Sequence, residues 1–159
     1  MEQVRVATLR RSEATSVEAL FRAEYTGMVR LAFTLIGNNA EAEELVQDCF
    51  AEVHSRFGEI RRPGAYLRTA VVSRCRSLLL RRRMMQSHPP EPIGDLPHAA
   101  SELWDVLHRL PEDQRLAVVL RYYGGYRASE IADLLDMPAA TVRSHLKRGL
   151  AAMREELES

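Results

Sequence analysis

The side chains best suited to chemistry lie near the C-terminus, within residues 127–148. Five hydrogen-bonding or cationic residues share the outward side of a helical pattern there: Thr141, Arg143, Ser144, Lys147 and Arg148. Hydroxyl, guanidinium and ammonium groups on one helix face can bond the base edges and phosphates of a DNA major groove. From this stretch alone, the alternative is a helical hairpin whose basic face is merely solvated.

Two short helices joined by a tight turn are expected to position these side chains. Apolar residues recur at helical spacing on both sides of the turn, at Ile131, Ala132, Leu135, Val142 and Leu146. Residues 136–138 interrupt the pattern, and Pro138 suits the first turn of a helix because its fixed φ is helical and its missing N–H is not needed there. The stretch therefore predicts a helix-turn-helix.

The charges of the chain are balanced in number but not in position. The 159 residues contain 22 Lys and Arg and 22 Asp and Glu, with 46% hydrophobic and 28% charged residues, as in ordinary soluble globular proteins. Residues 41–52 contain acids and no bases, whereas residues 61–83 contain eight Arg and no acid. Separate acidic and basic surfaces suit partners of opposite charge, so the distribution predicts two different partners.

The sequence contains no pattern typical of catalysis. GxSxG, P-loop and HExxH motifs are absent, so the expected protein is not an enzyme and needs no cofactor or metal. Cys49 and Cys75 lie outside metal-ligand spacing and are expected to be buried thiols in a reducing cytosol. Because neither a signal peptide nor an apolar run of membrane-spanning length is evident, the expected location is cytoplasmic.

The first half of the chain contains two predicted helices before residue 60. The first begins near Thr15 or Ser16 and ends at Gly37. Phe21 belongs to the apolar stripe that should face the core. Asn38 is expected to cap the second helix, which carries acids on one stripe: Glu41, Glu44, Asp48 and Glu52. Such a face either docks on a basic partner or is only solvated, and the residues alone leave both readings open.

A third helix is predicted from about Gly64 to Arg83, opened by Pro63. One side of it groups a ring, hydroxyls and a guanidinium: Tyr66, Thr69, Ser73, Arg76 and Ser77. Rings stack on unpaired bases, which contributes roughly 1–3 kcal/mol per base, while Arg holds phosphates. This side therefore favours single-stranded or melted nucleic acid. The closing triplet 81–83 could neutralise the helix dipole, but the number of Arg favours phosphate contact.

A proline-rich segment at residues 86–100 separates two helical units. Its four prolines and Gly94 disfavour a helix and favour an extended linker, which at ~3.1 Å per residue could span ~45 Å. The prediction is an all-α chain of two small domains, residues 1–85 and 101–159, joined by this linker. Ser101 is expected to cap the first helix of the second domain, which ends in the helix-turn-helix.

Three segments, in this order, resemble one protein family. Region 2 of the bacterial extracytoplasmic-function (ECF) sigma factors, in particular of their sigma-E-like group, is similar to NNAEAEELVQDCFAEVH (38–54) and PGAYLRTAVVSRCRSLLLRRR (63–83). Region 4 of the same family is similar to residues 107–157, where LP…R…LRYY.G is followed by EIA.LL…..TV.S.L.R. The region 4 pattern is the more specific, and the resemblance covers nearly the whole chain.

The resemblance implies a sigma factor that binds core RNA polymerase and directs transcription initiation at promoter DNA. It assigns polymerase docking to Glu44, Leu45, Val46, Gln47, Asp48 and Phe50. It assigns contact with the melted −10 element to Tyr66, Thr69, Ser73, Arg76, Arg81 and Arg82. It assigns contact with the duplex −35 element to Thr141, Arg143, Ser144, Lys147 and Arg148. By family, an anti-sigma factor is a further expected partner.

Three positions depart from the family pattern. Ser73 stands where the family usually has Asn, and its shorter side chain offers fewer donors and acceptors to a base. Asp136 replaces the usual glycine of the helix-turn-helix turn, although Asp tolerates a left-handed conformation better than most residues. Arg127 replaces a Ser or Thr cap, which should weaken the start of that helix.

Two rival functions belong to other classes. The first is a helix-turn-helix regulator that has an N-terminal sensing domain and acts without polymerase. The acidic helix and the Tyr66 stripe argue against it, because a sensor needs neither. The second is an interaction module that occupies a sigma partner without activating transcription, and the intact basic face of the last helix argues against that.

Overall fold

The computed structural model describes residues 16–85, 89–92 and 98–159, and these residues form helices and no strand. Seven α-helices are present among them: α1 (Val17–Ile36), α2 (Asn39–Ser55), α3 (Pro63–Met85), α4 (His98–Arg109), α5 (Glu112–Val118), α6 (Ala128–Leu135) and α7 (Ala139–Glu158). A 3₁₀ turn at Phe57–Glu59 precedes α3, and a π-helical turn at Val119–Tyr123 follows α5. The all-α prediction is confirmed. None of these helices is both long and apolar enough to cross a lipid bilayer.

Local signals set the ends of the first two helices as the sequence predicts. The Ser16 hydroxyl accepts a hydrogen bond from the Ala19 N–H at 3.1 Å, while Thr15 lies outside the described residues. Gly37 ends α1 with φ 77°, a left-handed conformation that glycine adopts without steric cost. Asn38 caps α2, because its side-chain oxygen accepts from the N–H of the third residue along, at 2.9 Å.

Helices α1, α2 and α3 pack together around one set of apolar residues. The buried side chains include Leu20, Met28, Leu31, Leu35, Val46, Cys49, Val53, Leu67, Val71 and Cys75. One ion pair crosses this core, where Arg68 Nη1 lies 3.0 Å from Glu24 Oε1 and the glutamate is fully buried. A buried carboxylate is costly unless it is paired, so this contact fixes α3 against α1.

The first helix of the second half begins earlier than expected. Helix α4 starts at His98, so Ser101 lies inside it and the last three residues of the predicted 86–100 linker are helical. Alanine has the highest helix propensity, and no proline follows Pro97 before residue 111. The helix can therefore begin before Ser101. Of the remaining linker, residues 89–92 are described and are not helical.

The helix-turn-helix forms as predicted, between α6 and α7. Asp136 adopts φ 51° and ψ 53°, and the Met137 N–H bonds the Ala132 carbonyl oxygen at 3.0 Å, which is a Schellman ending. Arg127 stands at the N-cap of α6, where its side chain has no acceptor for the free N–H groups of the first turn. Glu130 Oε1, however, accepts a hydrogen bond from the Arg127 N–H at 2.9 Å. Glutamate thus supplies half of a capping box where the usual cap residue is missing.

The two halves of the chain lie in direct contact rather than apart on an extended linker. Trp104 of α4 stacks on Phe33 of α1 with ring centroids 5.0 Å apart, and its Nε1 donates to the Glu91 carbonyl oxygen. The buried Arg115 donates to the Leu35 carbonyl oxygen at 3.1 Å. The same guanidinium bonds three further carbonyls in its own half, those of Leu107, His108 and Leu110.

The left-handed residue of the helix-turn-helix gives a stability prediction. We expect Asp136→Ala to lower the free energy of unfolding by about 1 kcal/mol, because alanine is disfavoured at positive φ, and Asp136→Gly to leave it equal or higher. Urea denaturation followed by circular dichroism measures both. The control is Asp133→Ala, an exposed helical site of α6 where alanine has no such penalty. Equal losses for the two alanine variants would contradict the prediction.

Candidate nucleic-acid and polymerase interfaces

Helix α7 presents the predicted duplex-contacting residues on its outer side. Arg143, Lys147 and Arg148 are exposed, and Thr141 and Ser144 are half-buried. The opposite side packs inward, and a Cβ at the buried Gly149 would lie only 2.9 Å from Val118 Cγ2. The glycine therefore lets α7 approach α5 closely.

Arg143, Lys147 and Arg148 are exposed cations on the outer side of α7. None of the three forms an ion pair with another residue in the described ranges, whereas Arg109 pairs with Glu156 near the helix end at 2.6 Å. Unpaired cations on one face attract an anionic partner most strongly at low ionic strength. The geometry therefore leaves this face open to phosphates and base edges.

The acidic stripe of α2 is partly neutralised by the chain itself. Glu41 forms an ion pair with Arg82, and Glu52 Oε2 lies 2.7 Å from Arg74 Nη2. Glu44 and Asp48 stay exposed, so only part of the stripe is available to an outside basic partner. A groove between α2 and α3 brings both signs of charge together, and its lining is Glu41, Glu44, Leu45, Asp48, Arg74, Ser77, Leu78 and Arg81.

The predicted docking residues of α2 divide into surface and core. Glu44, Gln47 and Asp48 are exposed, and Leu45 is half-buried. A correction applies to Val46, which is fully buried, and to Phe50, which is 6% exposed. Val46 faces the core shared with α1 and α3, and Phe50 packs under aromatic rings. Neither side chain can therefore contact a partner directly in this conformation.

An aromatic cluster beside these residues was not anticipated. Phe21, assigned to the core from its spacing, is 45% exposed and stacks on Tyr25 at 4.4 Å between ring centroids. Phe50 meets the Phe21 ring edge-on at 5.2 Å, and the Gln47 amide donates to the Tyr25 hydroxyl. Successive helix residues differ by about 100° in direction, so Phe21 points away from the core that its neighbour Leu20 enters.

Tyr66 of the predicted melted-strand stripe is held by charged groups of α2 and the following turn. Its hydroxyl donates to Glu52 Oε1 at 2.6 Å and accepts from Arg56 Nη1 at 3.0 Å. The hydrogen bond from Tyr66, together with Arg74, lowers the pKa of the Glu52 carboxyl. The same bond raises the pKa of Tyr66, because losing its proton beside a carboxylate is unfavourable.

The other residues of that stripe differ in accessibility. Thr69, Ser73 and Arg81 are exposed. Arg82 is turned inward, where Nη1 donates to the Ile36 carbonyl oxygen, and burial lowers its pKa. Arg76 is half-buried and bonds the Leu135 carbonyl oxygen of α6 at 2.9 Å. The structure therefore does not bring all six predicted residues to one open surface.

Neither the cysteines nor the described acids and histidines form a reactive or metal-binding centre. Cys49 and Cys75 are buried free thiols, as predicted. Burial raises the pKa of Cys49 to about 11 and raises that of Cys75 further, so both stay protonated at neutral pH. Within the described ranges, no three His, Cys, Asp or Glu side chains are placed to hold a metal ion.

Comparison with known proteins assigns both halves of the chain. Residues 20–84 match the family described as Sigma-70 region 2, and residues 100–153 match the family described as Sigma-70, region 4. The helical units are thus those of sigma-70-type transcription factors.

Individual relatives show which group of sigma factors the chain belongs to. The chain is 33% identical over 158 residues to the RNA polymerase sigma-E factor of Streptomyces avermitilis, covering 92% of this chain and 88% of the relative. It is 30% identical over 148 residues to the ECF RNA polymerase sigma factor SigM of Mycobacterium tuberculosis, covering 86% and 74%. The chain belongs to the ECF sigma factor family of bacterial RNA polymerase.

A solved structure supports the fold. The sigma factor RpoE from Bartonella quintana, determined in complex with the anti-sigma factor NepR, superposes with a TM-score of 0.72 at 20% identity. The superposition covers 89% of this chain and 96% of that one, so both helical units take part in the likeness.

The Tyr66 network gives a prediction about titration. We expect Glu52→Gln to lower the Tyr66 pKa toward its ordinary value near 10, because the variant removes the carboxylate that disfavours phenolate. In the parent protein, stabilisation from the lowered Glu52 pKa is present above the ordinary carboxyl pKa and is lost as the pH falls through the lowered value. Carbon-13 NMR of the tyrosine Cζ atoms follows the phenol titration.

Glu59→Gln is the matched control for this titration. Glu59 pairs with Arg56 but does not bond the Tyr66 hydroxyl, so its neutralisation should change the Tyr66 pKa little. An unchanged Tyr66 pKa in Glu52→Gln would mean that the carboxylate does not hold this phenol in solution.

Proposed function

We propose that this sigma factor binds core RNA polymerase and directs it to a promoter, with α7 reading the −35 element as duplex and α3 contacting the −10 element as a melted strand. The observation that carries the proposal is the outer face of α7, whose exposed Arg143, Lys147 and Arg148 have no ion pair among the described residues. It follows a helix-turn-helix in the half that matches region 4. The family relationship disfavours a regulator that acts without polymerase.

The −35 assignment follows from the position of each group along α7. Thr141, Arg143 and Ser144 lie in the first two turns, the part of a recognition helix that meets base edges. Lys147 and Arg148 lie a turn further along, where cations suit phosphates and fix the register of the protein on the duplex. Base contacts and phosphate contacts are therefore separated along one helix.

The −10 assignment uses the exposed part of the α3 stripe. Thr69 and Ser73 present hydroxyls to solvent, and Arg81 presents an exposed cation. Tyr66 offers a half-buried ring whose orientation the Glu52 carboxylate restricts. A restricted ring loses less conformational entropy when it stacks on an unpaired base. The short Ser73 side chain, in place of the usual Asn, is proposed to give a base preference different from that of typical family members.

Polymerase docking is assigned to the exposed residues of α2. Glu44 and Asp48 supply exposed carboxylates that form no ion pair with another described residue, and Gln47 and Leu45 lie beside them. The exposed Phe21 ring adds an apolar contact next to this surface, and such a mixture of a ring and charges is typical of protein interfaces. Val46 and Phe50 are proposed to support this surface from below.

The remaining parts of the proposal concern organisation and partners. We assign residues 1–85 to the polymerase-docking and −10 unit and the segment from His98 onward to the −35 unit, with the linker between them. By family, an anti-sigma factor is a proposed partner and the cytoplasm is the proposed location. The proposed role is recognition and melting of promoter DNA, with no catalytic step assigned to this chain.

Substitution of Arg143 tests the −35 assignment. We expect Arg143→Ala to weaken promoter binding by the holoenzyme about 10- to 100-fold, the loss of about 1–3 kcal/mol typical of a bidentate base contact, while affinity for core polymerase stays unchanged. Run-off transcription and binding to core polymerase give the two readouts. Arg154→Ala, an exposed cation about 16 Å further along α7, controls for loss of charge. An equal fall in polymerase affinity would remove Arg143 from the DNA interface.

A charge reversal on α2 tests the docking assignment. We expect Asp48→Arg to weaken association with core polymerase at least about tenfold, because it places a cation against a basic partner surface. Fluorescence anisotropy of labelled sigma factor measures the affinity. Glu43→Arg is the control, since Glu43 is exposed on the same helix but lies outside the acidic stripe. If both reversals had the same effect, general charge rather than this face would govern binding.

A further inference from the structure

The side of α3 assigned to melted DNA ends in two apolar side chains that the −10 assignment does not use. Leu80 is 38% exposed and Met84 is 88% exposed. Because successive helix residues differ by about 100° in direction, Leu80 and Met84 each point within about 20° of Ser73. One exposed apolar side chain is ordinary on a protein surface, but these two continue a line of hydroxyls along the helix.

Two cations flank this apolar end of α3. Arg81 and Arg83 are exposed, whereas Arg82 between them is turned inward. By helix geometry, Arg81 points about 80° to one side of the line through Leu80 and Met84, and Arg83 points about 80° to the other side. Cations of this kind suit phosphates. The end of α3 therefore presents an apolar centre between two phosphate-binding groups.

A junction between paired and unpaired DNA has the matching arrangement. The last base pair of the duplex exposes a flat face, because no further pair stacks on it, and every base has such a face. The two backbones diverge on either side of it. Leucine and methionine are among the side chains that enter between base steps when proteins deform DNA. Both the shape and the charge of this part of α3 thus suit such a junction.

The order of the chain indicates which edge of the melted segment lies here. The −35 element is upstream of the −10 element, and in the proposed function it stays duplex. The C-terminal end of α3 leads through the linker to the half assigned to the −35 element. Leu80 and Met84 lie at this C-terminal end, whereas Tyr66 lies near the N-terminal end. The upstream edge, where paired DNA meets the melted strand, is therefore expected beside Leu80 and Met84.

We propose that Leu80 and Met84 form a wedge that covers the last base pair at the upstream edge of the melted −10 element and keeps the two strands apart. Arg81 and Arg83 bind the separated backbones. The inference rests on the proposed −10 function of α3 and adds two residues to it. Because the wedge contacts the face of a base pair and not its edges, its contribution depends little on the base sequence.

The double variant Leu80→Ser/Met84→Ser tests the wedge in holoenzyme assembled from the full chain and core polymerase. The probes are a fluorescein-labelled short duplex with a single-stranded tail, called the fork, and the tail strand alone. We expect the variant to bind the fork about 5- to 10-fold more weakly and the tail nearly unchanged, because only the fork offers a base pair to the apolar groups. Fluorescence anisotropy at fixed ionic strength measures both affinities, with core polymerase alone as the blank.

Met85→Ser is the matched control. Met85 is 77% exposed and follows Met84 directly, but it points about 100° away from it, so its loss should leave the fork affinity unchanged. The exchange Leu80→Met/Met84→Leu keeps both positions apolar and should bind the fork as the parent protein does. An equal loss in Met85→Ser, or an equal loss in the exchange variant, would overturn the proposal.

A second readout follows the bases themselves. The fork carries 2-aminopurine at its first unpaired position, where fluorescence rises when the base no longer stacks on the duplex. We expect a rise on binding of the parent holoenzyme and a much smaller rise with Leu80→Ser/Met84→Ser at saturating protein. An equal rise with both proteins would mean that these side chains do not displace the base, and the wedge would be wrong.

The outcomes separate this inference from the proposed function. If the double serine variant loses affinity for the fork and the tail equally, the wedge is wrong, while strand binding by α3 stands. If it loses affinity for core polymerase instead, the apolar end docks on protein and the wedge is also wrong. If the parent holoenzyme binds neither probe more tightly than core polymerase alone, the −10 role of α3 is wrong and the wedge falls with it.

Discussion

The fold depends most on the end of α1, where buried backbone carbonyls require hydrogen-bond donors. A helix leaves its last carbonyl groups without intrahelical partners, and in the interior water cannot replace them. The carbonyls of residues 35–37 receive their donors from three places: Arg115 of the second half, Arg82 of α3, and the backbone N–H of Glu91 in the linker. One helix end therefore fixes three distant parts of the chain against each other, and the packing of Trp104 on Phe33 closes the same junction.

Arginine takes part in many of the side-chain hydrogen bonds and ion pairs among the described residues, and this explains how a chain of zero net charge can offer a basic surface. The guanidinium is charged at all relevant pH values and carries five donors, so it can satisfy a buried carboxylate, as Arg68 does with Glu24, or several carbonyls, as Arg115 does. Acids consumed in such pairs no longer oppose the exposed cations of α7. The sum of charges is therefore a poor guide to the field around the molecule.

Features encoded by neighbouring residues could be predicted from the sequence, and features that depend on distant contacts could not. Gly37, Asn38 and the left-handed Asp136 were identified because caps and turns depend on a few adjacent residues. The exposure of Phe21 was missed, since spacing defines a helical stripe but not which edge of it a neighbouring helix covers. The proposed site residues of α7 and α3 were selected by residue type and spacing, whereas the position of Arg76 between the two halves depends on tertiary packing.

The internal contacts of Arg76 also bear on how such a factor avoids the wrong DNA. Non-specific binding comes almost entirely from cations meeting phosphates, and a genome offers a vast excess of such sites. A guanidinium already placed beside Asp113 and the end of α6 gains less from a random phosphate, because it must first give up equivalent oxygen contacts.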